Sequence, residues 1–287
     1  MNITKAFVSV DMEGLPHIVS NEQMNPGDRL YDEARSIMTD CVLAMAEELH
    51  ESGVERVIVA DSHGPKVSLL PEKMPNFVSI VRGNPRSISM VAGGKGTQAA
   101  LFLGYHARPG TPFSTFDHTI DDSVLHMVKY NGVESSEFYM NAATLGEHGV
   151  PVILVAGDKA LLEDDVARHA PWAVRVPLKE SLGRYAAISP SMVESCDLIR
   201  AGVREAVSRA NNNSTGDVKP LKINVPVDVE LFFTSTAYAH IASHLPGSRK
   251  GSNGWAVSFT ASTMEEAYRV TQLLVFAAKG VKKSVGE

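Results

Sequence analysis

The chain has 287 residues, 44% hydrophobic and 21% charged, with a formal net charge of −6, which excludes a disordered chain and a small cross-linked scaffold. Its 27 Lys and Arg form no dense run beyond Lys282-Lys283, so a nucleic-acid surface is not expected. The 2 cysteines, Cys41 and Cys196, make neither a disulfide framework nor a thiolate zinc site. With no apolar leader before the first strand and no stretch near the ~20 residues of a membrane span, a cytoplasmic protein without membrane contact is expected.

The first strand covers residues 6–10 and stops at Asp11-Met12-Glu13-Gly14. Two carboxylates spaced i, i+2 leave an extended chain on the same face, and in an open α/β sheet ligands gather outside the carboxyl ends of the strands. Alone, the pair reads either as a cation site or as a strand cap with Asp11 on backbone N–H groups and Glu13 in solvent. A turn-rich loop, residues 14–27, is a candidate rim. Leu30, Ala34, Ile37, Met38, Cys41, Val42, Met45 and Leu49 then recur at helical spacing, predicting a helix over residues 28–52 closed by Gly53.

A second strand, residues 57–60, ends in Asp61-Ser62-His63-Gly64, and a third, residues 77–81, in Arg82-Gly83-Asn84-Pro85. A short helical stretch at residues 87–93 leads to a fourth, residues 100–103, which ends in Gly104-Tyr105-His106-Ala107. Strands alternating with helices build a parallel sheet in which such ends lie side by side. A single histidine there is usually a hydrogen-bonded structural residue, but His63 and His106 beside Asp11 and Glu13 shift the reading to a metal site.

Prolines and glycine in residues 108–119 place His118 on an ordered loop near that site. Residues 124–130 form a strand, Asn131-Gly132 a tight hairpin turn, and residues 137–147 a helix; Glu137 in its first turn serves either the helix dipole or a metal. Residues 152–158 are a buried strand, with Asp158 read as a helix N-cap rather than a site residue. Further on, the pattern predicts a strand at 172–176, a helix at 190–210, a break at 211–216, a strand at 221–233, a helix at 237–245, a strand at 255–260 and a helix at 264–278. His240 and His244 are i, i+4 but lack an acidic third ligand and read as surface residues. The expected fold is α/β: a mostly parallel sheet flanked by helices in residues 1–180, with a smaller α+β domain in residues 181–287 expected to contribute to oligomerisation.

In order and spacing, Asp11-Met12-Glu13-Gly14, Asp61-Ser62-His63, Gly104-Tyr105-His106-Ala107, His118 and Glu137 with Asn141-Ala142 resemble the metal-dependent D-aminopeptidase family. The likeness extends over nearly the whole chain, through Ile37-Met38-Thr39 and Ser89-Met90-Val91 to Glu266-Ala267-Tyr268. It implies a dinuclear zinc centre, with two ions per subunit bridged by Asp11. Glu13 and His63 would complete one side and His106 and Glu137 the other, with His118 as the catalytic histidine, either as a nucleophile or as a general acid–base. It also implies a ring-like homo-oligomer, a decamer, that encloses its active sites. Leu15-Pro16-His17 and Ser136 depart from the family pattern near the expected entrance and bear on substrate preference.

Imidazole and carboxylate without thiolate suit zinc, and equally manganese, iron or cobalt. The expected function is therefore a zinc-dependent aminopeptidase acting on short peptides with an N-terminal D-residue or glycine. Two alternatives stand beside it: a metallohydrolase of the same fold acting on another amide or a phosphate ester, and a non-catalytic metal- or ligand-binding oligomer.

Overall fold

The computed structural model describes residues 2–214 and 216–286. The first half of the chain alternates strands and helices: β1 (Lys5–Val10), α1 (Tyr31–Glu51), β2 (Arg56–Asp61), β3 (Val78–Val81), β4 (Ala99–Tyr105), β5 (Leu125–Tyr130), β6 (Val133–Glu134), α2 (Glu137–Glu147) and β7 (Val152–Asp158). A broken helical segment follows, α3 (Lys159–Leu161) passing through a π turn at Leu162–Val166 into α4 (Ala167–His169). Then come β8 (Val174–Gly183), β9 (Ala186–Ile188), α5 (Met192–Asn211), β10 (Val227–Phe233), α6 (Thr236–Ala242), β11 (Arg249–Lys250), β12 (Ala256–Ala261) and α7 (Met264–Val285).

Seven strands form one sheet in the order β3-β2-β1-β4-β7-β8-β9. It is parallel from β3 to β8, and only β9 pairs antiparallel. The expected α/β architecture is borne out, and β1 shows why the sequence specifies it. Its period-2 alternation sends Ala6, Val8 and Val10 into one apolar cluster and Phe7 into another, so both faces are covered. The first cluster holds the helical stripe of α1 (Ala34, Ile37, Met38, Cys41, Val42, Met45, Leu49) and that of α5 (Ile199, Val203, Ala206, Val207, Ala210). The second joins Phe102 and Tyr105 of β4 to α2, and α2 in turn to α7 and to a five-stranded antiparallel sheet, β11-β12-β10-β5-β6.

Three expectations change. The division at residue 181 does not follow the sheets, because β5 and β6 belong to the antiparallel sheet while α5 packs beside α1 on the parallel one. The short strand at residues 172–176 is the ten-residue β8; Pro177 reads as a stop, yet it pairs with Gly157 and the strand continues to Gly183. Of the strand at 221–233 only Val227–Phe233 forms, starting directly after Pro226. Among the described residues no helix is long and apolar enough to cross a membrane.

Candidate metal centre

From β1 the sheet grows in opposite directions, to β2 and β3 on one side and to β4 and β7 on the other. Such a reversal opens a crevice between the carboxyl ends of its two central strands, here β1 and β4. Asp11 directly follows β1 and His106 directly follows β4. Two glycines let these ends close on one another. Asp11 N donates to Leu103 O at 2.8 Å and Gly14 N to Gly104 O at 2.7 Å. A Cβ on Gly104, whose φ is +72°, would lie 2.1 Å from Asp11 O, and one on Gly14 would lie 2.0 Å from Tyr105 O.

All six residues singled out in the sequence meet in this crevice. Asp11, Glu13 and His106 bring ligand atoms within 4.8 Å of one another, and so do His106, His118 and Glu137. His63 joins them, its Nδ1 standing 2.9 Å from Glu13 Oε2 and 3.5 Å from Asp11 Oδ1. Glu137 arrives on the first residue of α2, a helix capped by the Ser136 hydroxyl, which accepts from Tyr139 N. Its other oxygen accepts from Ile120 N at 2.7 Å, which fixes the carboxylate plane.

The three histidines share one device. His63 Nε2 is bonded to Met24 O at 2.7 Å, His106 Nδ1 to Ala107 O at 3.1 Å and His118 Nδ1 to Phe116 O at 2.7 Å. A carbonyl only accepts, so each of these nitrogens carries the proton, and the other nitrogen of a neutral ring is a lone pair free for the centre. For His106 that second nitrogen is buried without a hydrogen-bond partner. Asp11 Oδ2 and Glu137 Oε2 each stand 3.5 Å from it, too far for a hydrogen bond. Ligands at 2.0–2.2 Å from a tetrahedral ion are separated by about 3.3–3.6 Å, so this nitrogen and its flanking carboxylates fit a divalent cation.

The charges point the same way. Burial opposes ionisation of Asp11, yet the imidazoles of His106 and His63 hold its carboxyl well below the usual carboxylate range. Burial likewise opposes charging His63 and His106, and it is outweighed by Glu13 and Asp11 at the first ring and by Asp11 and Glu137 at the second, so both rise well above the ordinary imidazole value. Carboxylates that draw protons onto neighbouring imidazoles are carboxylates in want of a cation.

His118 is half-buried and stacks on His106, with ring centroids 4.3 Å apart and planes 10° from parallel. Its loop is tied down at Asp158, where one carboxylate oxygen accepts from Thr115 N at 3.0 Å, Ser114 Oγ at 3.2 Å and Ser181 Oγ at 2.6 Å. The other oxygen of Asp158 caps α3 through Ala160 N, as the sequence suggested. Arg184 adds a second tie, from its side chain to Asp117 and from its carbonyl to Phe116 N.

Two supporting elements escaped the sequence reading. Lys179 on β8 is fully buried and donates its ammonium to Glu13 O and Ile18 O, holding the loop that follows β1; burial pushes it down to about 8. Beneath the centre, Asn141 Nδ2 donates to Tyr105 OH, Tyr105 OH to Ser9 Oγ, and Ser9 and Ser62 both to Met90 O, which links the residues next to His106 and His63 to α2. His240 and His244 stay on the surface as expected, packed on each other at 4.9 Å. A cavity of about 610 Å³ lies over the centre, walled on its far side by Tyr268, Gln272 and Phe276 of α7.

Fold and site together define an α/β protein of the metallohydrolase type, its carboxylates and imidazoles set at the switch point of a parallel sheet. A family model described as D-aminopeptidase matches residues 4–273, and the chain belongs to that family. It is 31% identical over 270 residues to the D-aminopeptidase of Bacillus subtilis (strain 168), covering 92% of this chain and 94% of the relative. It also matches the solved structure of the Zn-dependent D-aminopeptidase DppA from Bacillus subtilis, a self-compartmentalizing protease, with a TM-score of 0.88 at 29% identity over 96% of this chain and 98% of that one.

Proposed function

We propose that this chain is a zinc-dependent aminopeptidase that removes the first residue of short peptides, in particular a D-residue or glycine. The observation that carries this reading is the buried, partnerless nitrogen of His106 held between two carboxylates, in a chain so similar to a Zn-dependent D-aminopeptidase. We assign Asp11 as the residue shared by two ions, Glu13 and His63 to one of them, and His106 and Glu137 to the other. Zinc in this setting supplies Lewis acidity for the scissile carbonyl and lowers the pKa of a water from about 15.7 towards about 7.

The chain's own residues do the rest. Three carboxylates leave a pair of divalent ions with an excess positive charge that favours a neutral substrate amine and a developing negative oxygen. His118, its Nδ1–H held on Phe116 O, accepts at Nε2 the proton that the attacking water gives up and passes it to the leaving amine, a task typically worth ~10²–10⁴ in rate. Arg184 and Asp158 keep the ring in place for that transfer.

Assembly into a homo-oligomer is supported by the self-compartmentalizing relative and by Trp255, Leu273 and Phe276, exposed apolar side chains of the antiparallel unit. A ring-like decamer with its active sites inside is the arrangement we propose, and a cytoplasmic location agrees with the two free cysteines.

The deciding experiment combines zinc analysis with a panel of D- and L-aminoacyl peptides and p-nitrophenyl phosphate. Zinc-dependent release of an N-terminal D-residue or glycine is the expected result. Turnover of the phosphate ester alone would move the chain to another chemistry, and stoichiometric zinc with no turnover of any substrate would leave a binding protein.

A further inference from the structure

Two lysines line the cavity without a task in the reaction outlined above; Lys279 is paired with Asp121, and Lys66 is not paired among the described residues. Lys66 lies in the loop after β2, three residues beyond His63, and that loop is pinned on both sides: Lys66 N donates to His63 O at 2.8 Å and Lys66 O accepts from Gly83 N at 2.8 Å. Its φ is +61°, in the left-handed region that a long side chain seldom adopts and that persists only where the surroundings impose it. The residue is 8% exposed and lines the cavity. Among the described residues its ammonium has neither a hydrogen-bond nor an ion-pair partner. A nearly buried ammonium without a partner is costly, and an apolar residue would fill the same space without that cost.

A second lining residue repeats the pattern. Gln272 on α7 is 6% exposed, lines the same cavity and has no hydrogen-bond partner among the described residues. An ammonium and an amide, supplied by different layers of the fold, thus line one cavity with their hydrogen-bonding capacity unused. Burial and the repulsion of Arg86 lower the Lys66 pKa, while Glu137, Asp11 and Asp61 act to keep it charged, so the side chain is within electrostatic reach of the centre.

We propose that Lys66, assisted by Gln272, binds the C-terminal carboxylate of a short peptide and so makes this chain selective for di- and tripeptides with a free carboxyl end. The inference rests on the aminopeptidase reading, in which the free amine lies at the carboxylate-rich centre. Lys66 cannot serve that amine, whose lone pair is engaged at the centre and whose N–H groups find no acceptor on an ammonium. A carboxylate one or two residues further along is the anion that such a substrate brings, and a charge-assisted bond inside a cavity of about 610 Å³ is strong and selective. A long peptide offers no carboxylate at that distance.

The test uses the zinc-loaded full chain, a dipeptide with N-terminal D-alanine, and the same dipeptide as its C-terminal amide. For the wild type, kcat/KM for the free acid should exceed that for the amide by about 10- to 100-fold, the size of a hydrogen bond to a charged group. In Lys66→Met that preference should fall towards unity, mainly through KM, with Lys66→Arg restoring part of it and Gln272→Leu weakening it less. A wild-type ratio near one overturns the proposal, whether or not the variants fold. Equal losses on acid and amide in Lys66→Met also overturn it, since Lys66 would then serve the developing oxyanion. Calorimetric binding of the two ligands reads the same ratio without turnover, so a chain that binds the acid selectively but hydrolyses neither keeps the subsite and loses only the peptidase reading.

Discussion

The two sides of the centre hold their residues by different means. Asp11, Glu13, His63 and His106 stand within three residues of the ends of β1, β2 and β4, so their spacing is set by the ladder of a sheet buried on both faces. His118, Lys66 and Gln272 come from two loops and a helix of the other layer, and His118 is placed by side-chain ties to Asp158 and Arg184. The strand side cannot drift without parting the sheet, whereas the loop and helix side can be altered one residue at a time. Chemistry on the first side is therefore rigid, and rate and selectivity on the second are adjustable.

The harshest test of that contrast is Asp11→Ala. As the residue assigned to both ions, its loss should empty the site and remove activity, while His63→Ala or His106→Ala should chiefly weaken one ion. Metal analysis of the purified variants decides, and two full equivalents in Asp11→Ala would refute the shared assignment. Next comes His118→Ala, expected to lower kcat by ~10²–10⁴ while keeping metal and oligomeric mass. Because His118 lies within chelating range of His106 and Glu137, metal content is the critical measurement: zinc lost together with activity would make it a ligand.

Asp158→Asn should act more mildly. It weakens the bonds from Ser114, Thr115 and Ser181 without touching the centre, so kcat should fall ~10-fold with zinc retained, a displacement of the ring being enough. An unchanged kcat would mean that Arg184 alone holds the loop.

The smallest effect concerns pH. In the chelated protein the folded-state pKa values of His63 and His106 lie above the unfolded value of about 6.5. Their stabilisation is then fully present below about pH 6.5 and is lost as the pH rises through the folded values. Zinc needs the unprotonated nitrogens, so its binding strengthens over the same interval. The gap in Tm between zinc-loaded and chelated protein should widen with rising pH, by ~2–4 °C for each kcal/mol involved. A gap that narrows would reverse the sign assigned to both histidines.

The rigid side was also the legible one. Asp11, Glu13, His63 and His106 each follow an apolar run by one to three residues, so a strand pattern marks them directly. Glu137 is legible because it opens a helix, but what it serves depends on the packing of α2 against β4. Asp158 has the sequence of a cap and is one, while its hold on the His118 loop depends on residues more than 40 positions away. The pairing of β5 with β10 joins segments about a hundred residues apart, and no local period encodes it. Lys66, Lys179 and Gln272 were invisible for the same reason: in sequence each reads as a solvated polar residue, and only the assembled layers bury them.

Lys179 also has a consequence for how the protein is made. It emerges from the ribosome after every residue of the centre, the last of which is Glu137, yet the loop carrying Glu13 is held through its ammonium. A nascent chain that stops short of β8 thus contains all six centre residues while the backbone carbonyls of Glu13 and Ile18 lack their ammonium tie. Tight metal capture should begin only when β8 docks, so that unfinished copies, still mixed with other new peptides, carry no working hydrolytic site.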